Sequence, residues 1–218
     1  MIYRRTENTL RKLAARRQAI LAAASDVASE KGIGAVQIVS IANRAGIAAG
    51  TVYRYFPSKT DLVAALASAF CEQELAAMQA AARAAPGPLS ALTAGIATFA
   101  MRAVARRRLT FALVAEPTEP DLDEARASFR HALIAEFTTL IARAVEDGHL
   151  RDPDPGLLAP VLVGALIDGL LSPLAIAPQD VAKARVLVQQ LTLFALRGLG
   201  LGDAHARGLV AHTAIEFS

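Results

Sequence analysis

Residues 38–56 read Ile38-Val-Ser-Ile-Ala-Asn-Arg-Ala-Gly-Ile-Ala-Ala-Gly-Thr-Val-Tyr-Arg-Tyr-Phe56, and this stretch decides the fold. The small Ala42 allows two helices to cross closely, and Gly46, four residues on, tolerates the positive φ that a tight turn requires. Apolar residues recur where inner helix faces need them, at Ile41, Ala45, Ile47, Val52 and Tyr55. The pattern predicts a helix-turn-helix, with one short helix over 38–45 and the next over 49–55.

A first helix is expected before this motif and a long fourth helix after it. Its apolar stripe predicts the first helix over about 9–31, and Lys31-Gly32 supplies a typical ending. Pro57 closes the motif, and Ser58 followed by Asp61 resembles a capping box that opens a helix reaching about Arg83. The sequence Ala-Ala-Pro-Gly-Pro at 84–88 then predicts a break and a linker.

The rest of the chain also reads as helical, with almost no strand-like alternation. Helices are predicted over 89–105, 107–115, 121–148, 155–171 and 179–199, with a further short helix around 203–215 left open. The predicted fold class is all-α with about nine helices: an N-terminal three-helix bundle containing the helix-turn-helix and a larger C-terminal helical domain for ligand binding and dimerisation. We expect the domains to be residues 1–57 and 58–218.

Composition agrees with a helical protein that binds a polyanion. Hydrophobic residues make up 54% of the 218, and aromatic residues only 5%. Residues 1–66 carry ten Lys or Arg against four acidic residues, whereas the remainder carries thirteen against sixteen. A basic N-terminal part on a slightly acidic body is typical of a nucleic-acid-binding module, although a solvated basic face would have the same charge.

Composition also bears on compartment and membrane association. The single cysteine, Cys71, cannot form an intrachain disulfide, and no signal peptide opens the chain, so a cytoplasmic location is expected. Residues 157–177 are almost wholly apolar, but Asp168 lies at their centre and Pro160 and Pro173 interrupt them. A buried helix or a dimer interface therefore explains this stretch better than a membrane span does.

The segment from Ile41 to Leu62 resembles the DNA-binding signature of the TetR family. The matching residues read Ile-Ala-x-x-Ala-Gly-Ile-x-x-Gly-Thr-Val-Tyr-x-Tyr-Phe-x-x-Lys-x-x-Leu. Good resemblance extends over about residues 11–66, and the C-terminal part is similar only in the number and order of its helices. The resemblance implies that the third helix enters the major groove and that two subunits read a palindromic operator.

The resemblance implies a set of DNA-contacting residues on and around the third helix. Thr51 would face base edges or a phosphate, Tyr53 would donate its hydroxyl to a phosphate, and Phe56 rather than Tyr55 is expected in the core. Lys59 has an independent argument: a cation at a helix N-terminus opposes the helix dipole unless a phosphate binds there. The predicted DNA-binding residues are Arg44, Ala49, Gly50, Thr51, Tyr53, Arg54, Tyr55 and Lys59.

Three further features bear on DNA binding. Arg4 and Arg5 precede the predicted first helix and Arg11 and Lys12 lie at its start, and the four could form a mobile arm or a disordered tail. Members of the family usually carry Ser or Thr at the positions of Gln37 and Ala48, the predicted helix starts, and Ala is a poor N-cap. Gly50 lowers helix stability, which fits a helix backbone that approaches DNA closely.

The C-terminal domain offers candidates for an effector pocket and for a dimer face. Apolar side chains with a few orienting polar groups could line a ligand cavity, and the predicted pocket residues are Phe99, Arg102, Phe111, Phe129 and Asp168. Surplus apolar surface on the last two long helices suggests a four-helix interface between two copies. The predicted interface residues are Leu162, Ala165, Leu166, Gly169, Leu187, Leu191 and Phe194.

These observations favour a ligand-responsive transcriptional regulator: a homodimer that binds double-stranded operator DNA, most simply a repressor released by an unknown small-molecule effector. The alternative is a helical small-molecule-binding protein that has lost DNA binding, with Gln37 and Ala48 as traces of the loss. A helical enzyme using Arg102, His131 and Asp168 would need those residues to converge. No cofactor, catalytic residue or metal site is expected, because the four histidines lack metal-ligand spacing.

Overall fold

The computed structural model describes residues 2–116, 122–150, 154–171, 178 and 180–214. Ten α-helices and a short 3-10 turn, Ile33–Ala35, make up the described part, which contains no strand. The first five helices are α1 (Ile2–Lys31), α2 (Ile38–Arg44), α3 (Ala49–Tyr55), α4 (Lys59–Ala84) and α5 (Pro88–Ala105). The others are α6 (Arg107–Val114), α7 (Asp123–Glu146), α8 (Pro155–Leu171), α9 (Val181–Gly198) and α10 (Asp203–His212).

The all-α prediction is confirmed, and the boundaries differ in two places. Helix α1 begins at Ile2 rather than near residue 9, so the basic residues expected to precede it are helical. The tail that the sequence left open forms α10, which ends at His212. The other predicted helices agree with the structure to within about two residues, as is usual for helix ends.

The chain forms two compact units, and their division differs from the predicted boundary at residue 57. The first unit comprises Met1–Phe70 together with Phe111–Arg126, and the second comprises Cys71–Thr110 with Ala127–Ser218. Apolar residues of the first turns of α4, such as Leu62, Leu66 and Phe70, are buried, which explains why these turns belong to the first unit. The expected linker at 84–88 lies wholly inside the second unit.

The core of the first unit is built by the apolar stripe of α1 and the inner faces of the helix-turn-helix. Ile20, Ala24 and Val27 of α1 are buried, as are Ile41 of α2 and Val52 of α3. Side chains at spacings of three and four share one face of a helix, so the stripe seen in the sequence becomes the packed face. This core holds α2 and α3 in place by their inner sides.

The second unit is organised around α5, which packs against α8, α9 and α10. Gly95 of α5 allows close packing, because a Cβ built there would lie 3.0 Å from Cδ1 of Leu140 on α7. Helix α5 is also long and apolar enough, by length and composition, to cross a membrane. Because its apolar side chains, including Leu92 and Ile96, are buried within the unit, core packing accounts for its composition.

Candidate nucleic-acid interface

The turn between α2 and α3 is set by Gly46. Its φ is +65°, in the left-handed region that glycine adopts without the penalty a side chain brings. The backbone N–H of Ala45 donates to the carbonyl of Ile41 at 2.9 Å, and that of Ile47 donates to the carbonyl of Ala42 at 3.0 Å. These bonds satisfy the last carbonyls of α2 while the chain reverses, so the predicted turn at residue 46 is confirmed.

Helix α3 is held by one side and leaves the other open. Val52 is fully buried, and Phe56, directly after the helix, is 3% exposed. The expected core position of Phe56 is therefore confirmed. On the outer side Gly50 and Arg54 are exposed, and Tyr53 is 51% exposed. The outer face of α3 is therefore accessible to solvent.

The remaining predicted contacts on α3 lie at the edges of this face. Ala49, Thr51 and Tyr55 are half-buried, so each exposes only part of its side chain. Their position suits a helix lying in a groove, where some side chains of the accessible face reach base edges and others reach the phosphate backbone. We call the surface formed by residues 49–51, 53–55 and Lys59 the recognition surface.

Neither helix of the motif has a side-chain N-cap. Ala48 and Gln37 occupy the N-cap positions with extended backbones and make no capping hydrogen bond. The side-chain amide of Gln37 instead donates to the carbonyl of Gly34 at 3.1 Å. The turn and the core packing thus maintain the geometry of the motif. A capping side chain would add roughly 0.5–2 kcal/mol of stability to each helix.

Arg44 is engaged by an acidic partner that the sequence pattern did not reveal. Its Nη1 donates to Oε1 of Glu30 at 2.8 Å, and its Nη2 donates to the other carboxylate oxygen. This hydrogen bonding with Arg44 lowers the pKa of Glu30 below its ordinary value. Arg44 therefore joins the ends of α1 and α2, and to contact DNA it would have to share its guanidinium with this carboxylate.

The junction of α3 and α4 is fixed by two local interactions. The guanidinium of Arg17 on α1 lies 5.3 Å from the ring centroid of Phe56, a cation–π contact. Ser58 Oγ accepts from the backbone N–H of Asp61 at 3.0 Å and donates to its carboxylate at 2.7 Å. The predicted helix start at Ser58 is thus confirmed, and Lys59 is placed in the first turn of α4.

The residues predicted for an effector pocket lie in different environments. Phe99 and Phe129 are buried core residues. Asp168 faces solvent on α8, and Phe111 belongs to the first unit. Because helix periodicity indicates only which side of a helix is apolar, it did not separate core phenylalanines from cavity-lining ones.

Arg102, the remaining pocket candidate, is held in an ion pair. Its Nε lies 2.5 Å from Oε2 of Glu74, whose side chain is 5% exposed. Arg106 reaches the other oxygen of Glu74 at 3.2 Å. The signal for this site was present in the sequence, since Glu74 falls in the four-residue spacing of Leu66, Phe70 and Met78 and places a charge on an apolar stripe.

A cavity is present elsewhere in the second unit, between the end of α4, α5 and α10. Its volume is about 700 Å³, within the range of small-molecule sites. Small apolar residues form most of its walls, together with hydroxyl groups and two histidines: Ala81, Ala84, Ala85, Pro86, Ser90, Ala94, Thr98, Ala204, His205, Gly208, Leu209, His212, Thr213 and Ala214. None of the predicted pocket residues lines it.

The predicted dimer-face residues divide into buried and accessible ones. Leu162 and Leu166 are 6% and 2% exposed, so they pack inside their own chain and cannot form the face. Gly169 and Leu191 approach one another within the chain, with 3.4 Å between a Cβ built on Gly169 and Cδ2 of Leu191. Ala165 and Leu187 are half-buried, whereas Phe194 is 63% exposed.

Sequence comparison is most informative for the N-terminal part. Residues 20–66 match the family described as bacterial regulatory proteins, tetR family. The HTH-type transcriptional repressor KstR of Rhodococcus jostii (strain RHA1) is 54% identical to this chain over 56 residues. That match covers 25% of this chain and 26% of KstR, so the likeness spans about a quarter of the relative.

Structural comparison extends the likeness to most of the chain. The fatty acid degradation regulator FadR from Bacillus halodurans superposes with a TM-score of 0.73 at 19% identity, covering 86% of this chain and 97% of FadR. FadR from Bacillus subtilis, in complex with stearoyl-CoA, gives a TM-score of 0.67 at 19% identity, covering 80% and 97% of the two chains. At these identities the likeness establishes the fold alone. Over residues 20–66, therefore, the chain is similar to the bacterial regulatory proteins of the tetR family.

Proposed function

We propose that this protein is a ligand-responsive DNA-binding transcriptional regulator, a cytoplasmic repressor that leaves its operator when a small molecule binds. The observation that carries the proposal is the outer side of α3. Gly46 turns the chain so that Val52 faces the core while Gly50, Tyr53 and Arg54 remain exposed. This accessible side carries a phenol hydroxyl and a guanidinium, groups that suit the phosphates of a duplex in contact with α3.

On the recognition surface the residues divide by chemistry. The hydroxyl of Tyr53 and the ammonium of Lys59 suit phosphate oxygens, which fix the register of the helix on the duplex. Ala49 and Thr51 suit base edges, through a thymine methyl group or a hydrogen bond. The guanidinium of Arg54, also exposed on α3, suits a phosphate oxygen as well. Phosphate contacts of this kind would make affinity fall steeply with salt.

The accessible apolar residues of α8 and α9 support a homodimer. Leu157, Val161, Val181, Val186 and Phe194 are each about half exposed or more. This set replaces Leu162 and Leu166 in the proposed interface, because an interface between copies needs side chains that the protomer leaves accessible. Two-fold pairing would supply two recognition helices, and reading two successive half-sites would require them to lie about 34–36 Å apart, one turn of DNA.

For the effector we propose the cavity between α4, α5 and α10. Its alanine-rich wall suits an apolar ligand, and Ser90, Thr98 and the two histidines could orient a polar end. Among proteins of this fold, FadR from Bacillus subtilis binds stearoyl-CoA, which fits an apolar effector here. Helix α4 contributes residues to both units, so a ligand that favours one arrangement of α4 would change DNA affinity by shifting populations.

DNA binding is tested with the variant Tyr53→Phe. Its affinity is measured by fluorescence anisotropy with a duplex from upstream of the protein's own coding sequence. Loss of a hydrogen bond to a charged phosphate should weaken binding by about 1.5–3 kcal/mol, roughly ten- to a hundred-fold. Thermal stability should not change, because this side chain is exposed. Thr139→Val, which removes an exposed hydroxyl of the second unit, should leave DNA affinity unchanged.

Two results would contradict the proposal. Wild-type protein that binds neither upstream nor random DNA would favour the alternative, a helical small-molecule-binding protein without DNA binding. Binding that Tyr53→Phe and Lys59→Ala both leave intact would show that another surface contacts the duplex.

The effector assignment is tested separately by thermal melts with a fatty acid, a fatty alcohol and a phenol, using Ala94→Leu to fill the cavity.

A further inference from the structure

The N-terminal part of α1 is a helical extension, residues 7–19, that contributes no buried side chain to the first unit. Residues 7–19 are all exposed, and burial begins only at Ile20. Leu10 and Leu13 are 61% and 44% exposed, although their spacing continues the apolar stripe of the core. An isolated helical extension of this length is marginally stable in water, and a binding partner would stabilise it.

This extension carries a strong positive charge. Residues 7–19 contain Arg11, Lys12, Arg16 and Arg17 with a single acidic residue, Glu7. The 3.0 Å ion pair between Arg11 and Glu7 is highly exposed, so it holds Arg11 only weakly. Lys12 and Arg16, four residues apart, lie on the same side of the helix. A cationic rod of this kind complements a polyanion.

Arg17 shows where the extension starts. It lies against Phe56, which stands in the chain between Tyr55 and Lys59 of the recognition surface. The extension therefore begins at the edge of that surface. Ten residues separate Arg17 from Glu7, and at about 1.5 Å each they span roughly 15 Å. That length corresponds to about four base pairs of duplex.

Helical structure decides which part of the duplex the extension can contact. An α-helix is about 10–12 Å wide with its side chains, whereas the minor groove is only about 6 Å wide. The extension cannot lie in that groove as a flexible arm could. We propose that residues 7–19 of α1 bind the phosphate backbone flanking the site of α3, through Arg11, Lys12 and Arg16. This inference rests on the proposed DNA-binding function and assigns it a second, sequence-independent surface.

The experiment uses the full-length variant Arg11→Gln/Lys12→Gln/Arg16→Gln, in which glutamine removes the charge and keeps a good helix former. Anisotropy titrations with a 40-base-pair random duplex and with the upstream duplex are repeated over a range of salt concentrations. Wild-type affinity should fall steeply with salt. In the variant the slope of log K against log salt should be smaller by about 0.9 for each phosphate that is no longer neutralised. Affinities for both duplexes should fall by the same factor, so the preference between them is unchanged.

Controls separate this inference from the proposed function. Lys59→Gln and the triple variant should each reduce the slope, whereas Arg130→Gln/Arg143→Gln on α7 should not. An unchanged slope in the triple variant together with a reduced slope in Lys59→Gln would overturn the inference and leave DNA binding intact. Wild type without any DNA affinity would overturn both. The variant Leu10→Gln/Leu13→Gln should keep the DNA affinity and the sedimentation coefficient of the wild type. If this variant dissociates the oligomer, the extension binds a second copy of the chain instead of DNA.

Discussion

Gly50 is a residue that the folded protomer does not itself require. Its φ is not in the left-handed region, and a Cβ built on it would meet nothing within 4 Å. Glycine inside a helix still costs about 0.5–1 kcal/mol relative to alanine. A residue that lowers stability without serving the fold fits the proposed DNA complex, in which a methyl group at this exposed position of α3 would separate the helix from the duplex.

We accordingly expect Gly50→Ala to raise the stability of the protein and to weaken its binding to DNA. The free energy of unfolding, from urea denaturation, should rise by about 0.5–1 kcal/mol. Affinity for the upstream duplex should fall about tenfold, or 1.4 kcal/mol. Gly208→Ala in α10 serves as the matched control, measured without any ligand because Gly208 lines the proposed effector cavity, and a Cβ built there also meets nothing within 4 Å. It should stabilise the protein without changing DNA affinity. Equal DNA affinity for wild type and Gly50→Ala would disprove the close approach.

Cys71 provides a prediction about reactivity. Burial, followed by the nearby carboxylates of Glu74 and Glu72, raises the pKa of its thiol to about 12. At pH 8 only about one molecule in ten thousand would then hold the reactive thiolate. Iodoacetamide should label the native protein far more slowly than free cysteine, and labelling followed by mass spectrometry should become fast in urea. Rapid labelling of the native protein would show that Cys71 is accessible.

At the scale of secondary-structure elements, the α2–α3 corner depends on one backbone conformation. Gly46 has φ +65°, but a Cβ built there would meet nothing within 4 Å. The barrier to substitution is therefore conformational rather than steric. Each helix of the corner has only seven residues and no side-chain N-cap, so the turn and the buried Ile41 and Val52 hold the geometry together.

Substitutions at this turn should follow tolerance of the left-handed region. Gly46→Ala should lower the free energy of unfolding by about 1–2 kcal/mol. Gly46→Asn should lower it by less, because asparagine enters this region more readily than alanine does. Urea denaturation followed by circular dichroism measures both. If asparagine proved as destabilising as alanine, the cost would have to come from a source other than φ.

At the scale of the whole molecule, the proposed assembly depends on the accessible face of α8 and α9. Phe194 is 63% exposed, so the protomer gains little from it. Phe194→Glu should leave the fold intact and place a charge in the dimer interface. Sedimentation should then detect monomers, and operator affinity should fall by about 10²–10⁴, because two linked recognition helices bind together. Ala135→Glu, on an exposed position of α7, should change neither property.

Either of two outcomes would revise this assembly. A Phe194→Glu protein that remains dimeric would exclude this face as the interface. A monomeric variant that keeps full operator affinity would show that one subunit is enough to bind DNA.

Much of the recognition surface could be predicted from sequence because its determinants are local. Gly46, Val52 and Phe56 lie within a few residues of the turn they define, and the spacing of apolar side chains along a short helix shows which face is buried. The helical fold class and the start of α4 at Ser58 were accessible for the same reason. Only the extent of α1 was underestimated, since its N-terminal turns have no buried face to reveal them.

Tertiary structure decided the ion pairs, the cavity and the buried side of α8, because these depend on residues that are distant in the sequence. Glu30 reaches Arg44 fourteen residues away, and Glu74 reaches Arg102 across twenty-eight. The cavity joins residues 81–98 to residues 204–214, which no periodicity could connect. Helix α8 is apolar on almost every side, so its sequence could not show that Leu162 is inside and Val161 outside. A periodic pattern identifies a buried face only where the opposite face is polar. In α8, which has almost no polar face, packing alone decides which side chains are buried.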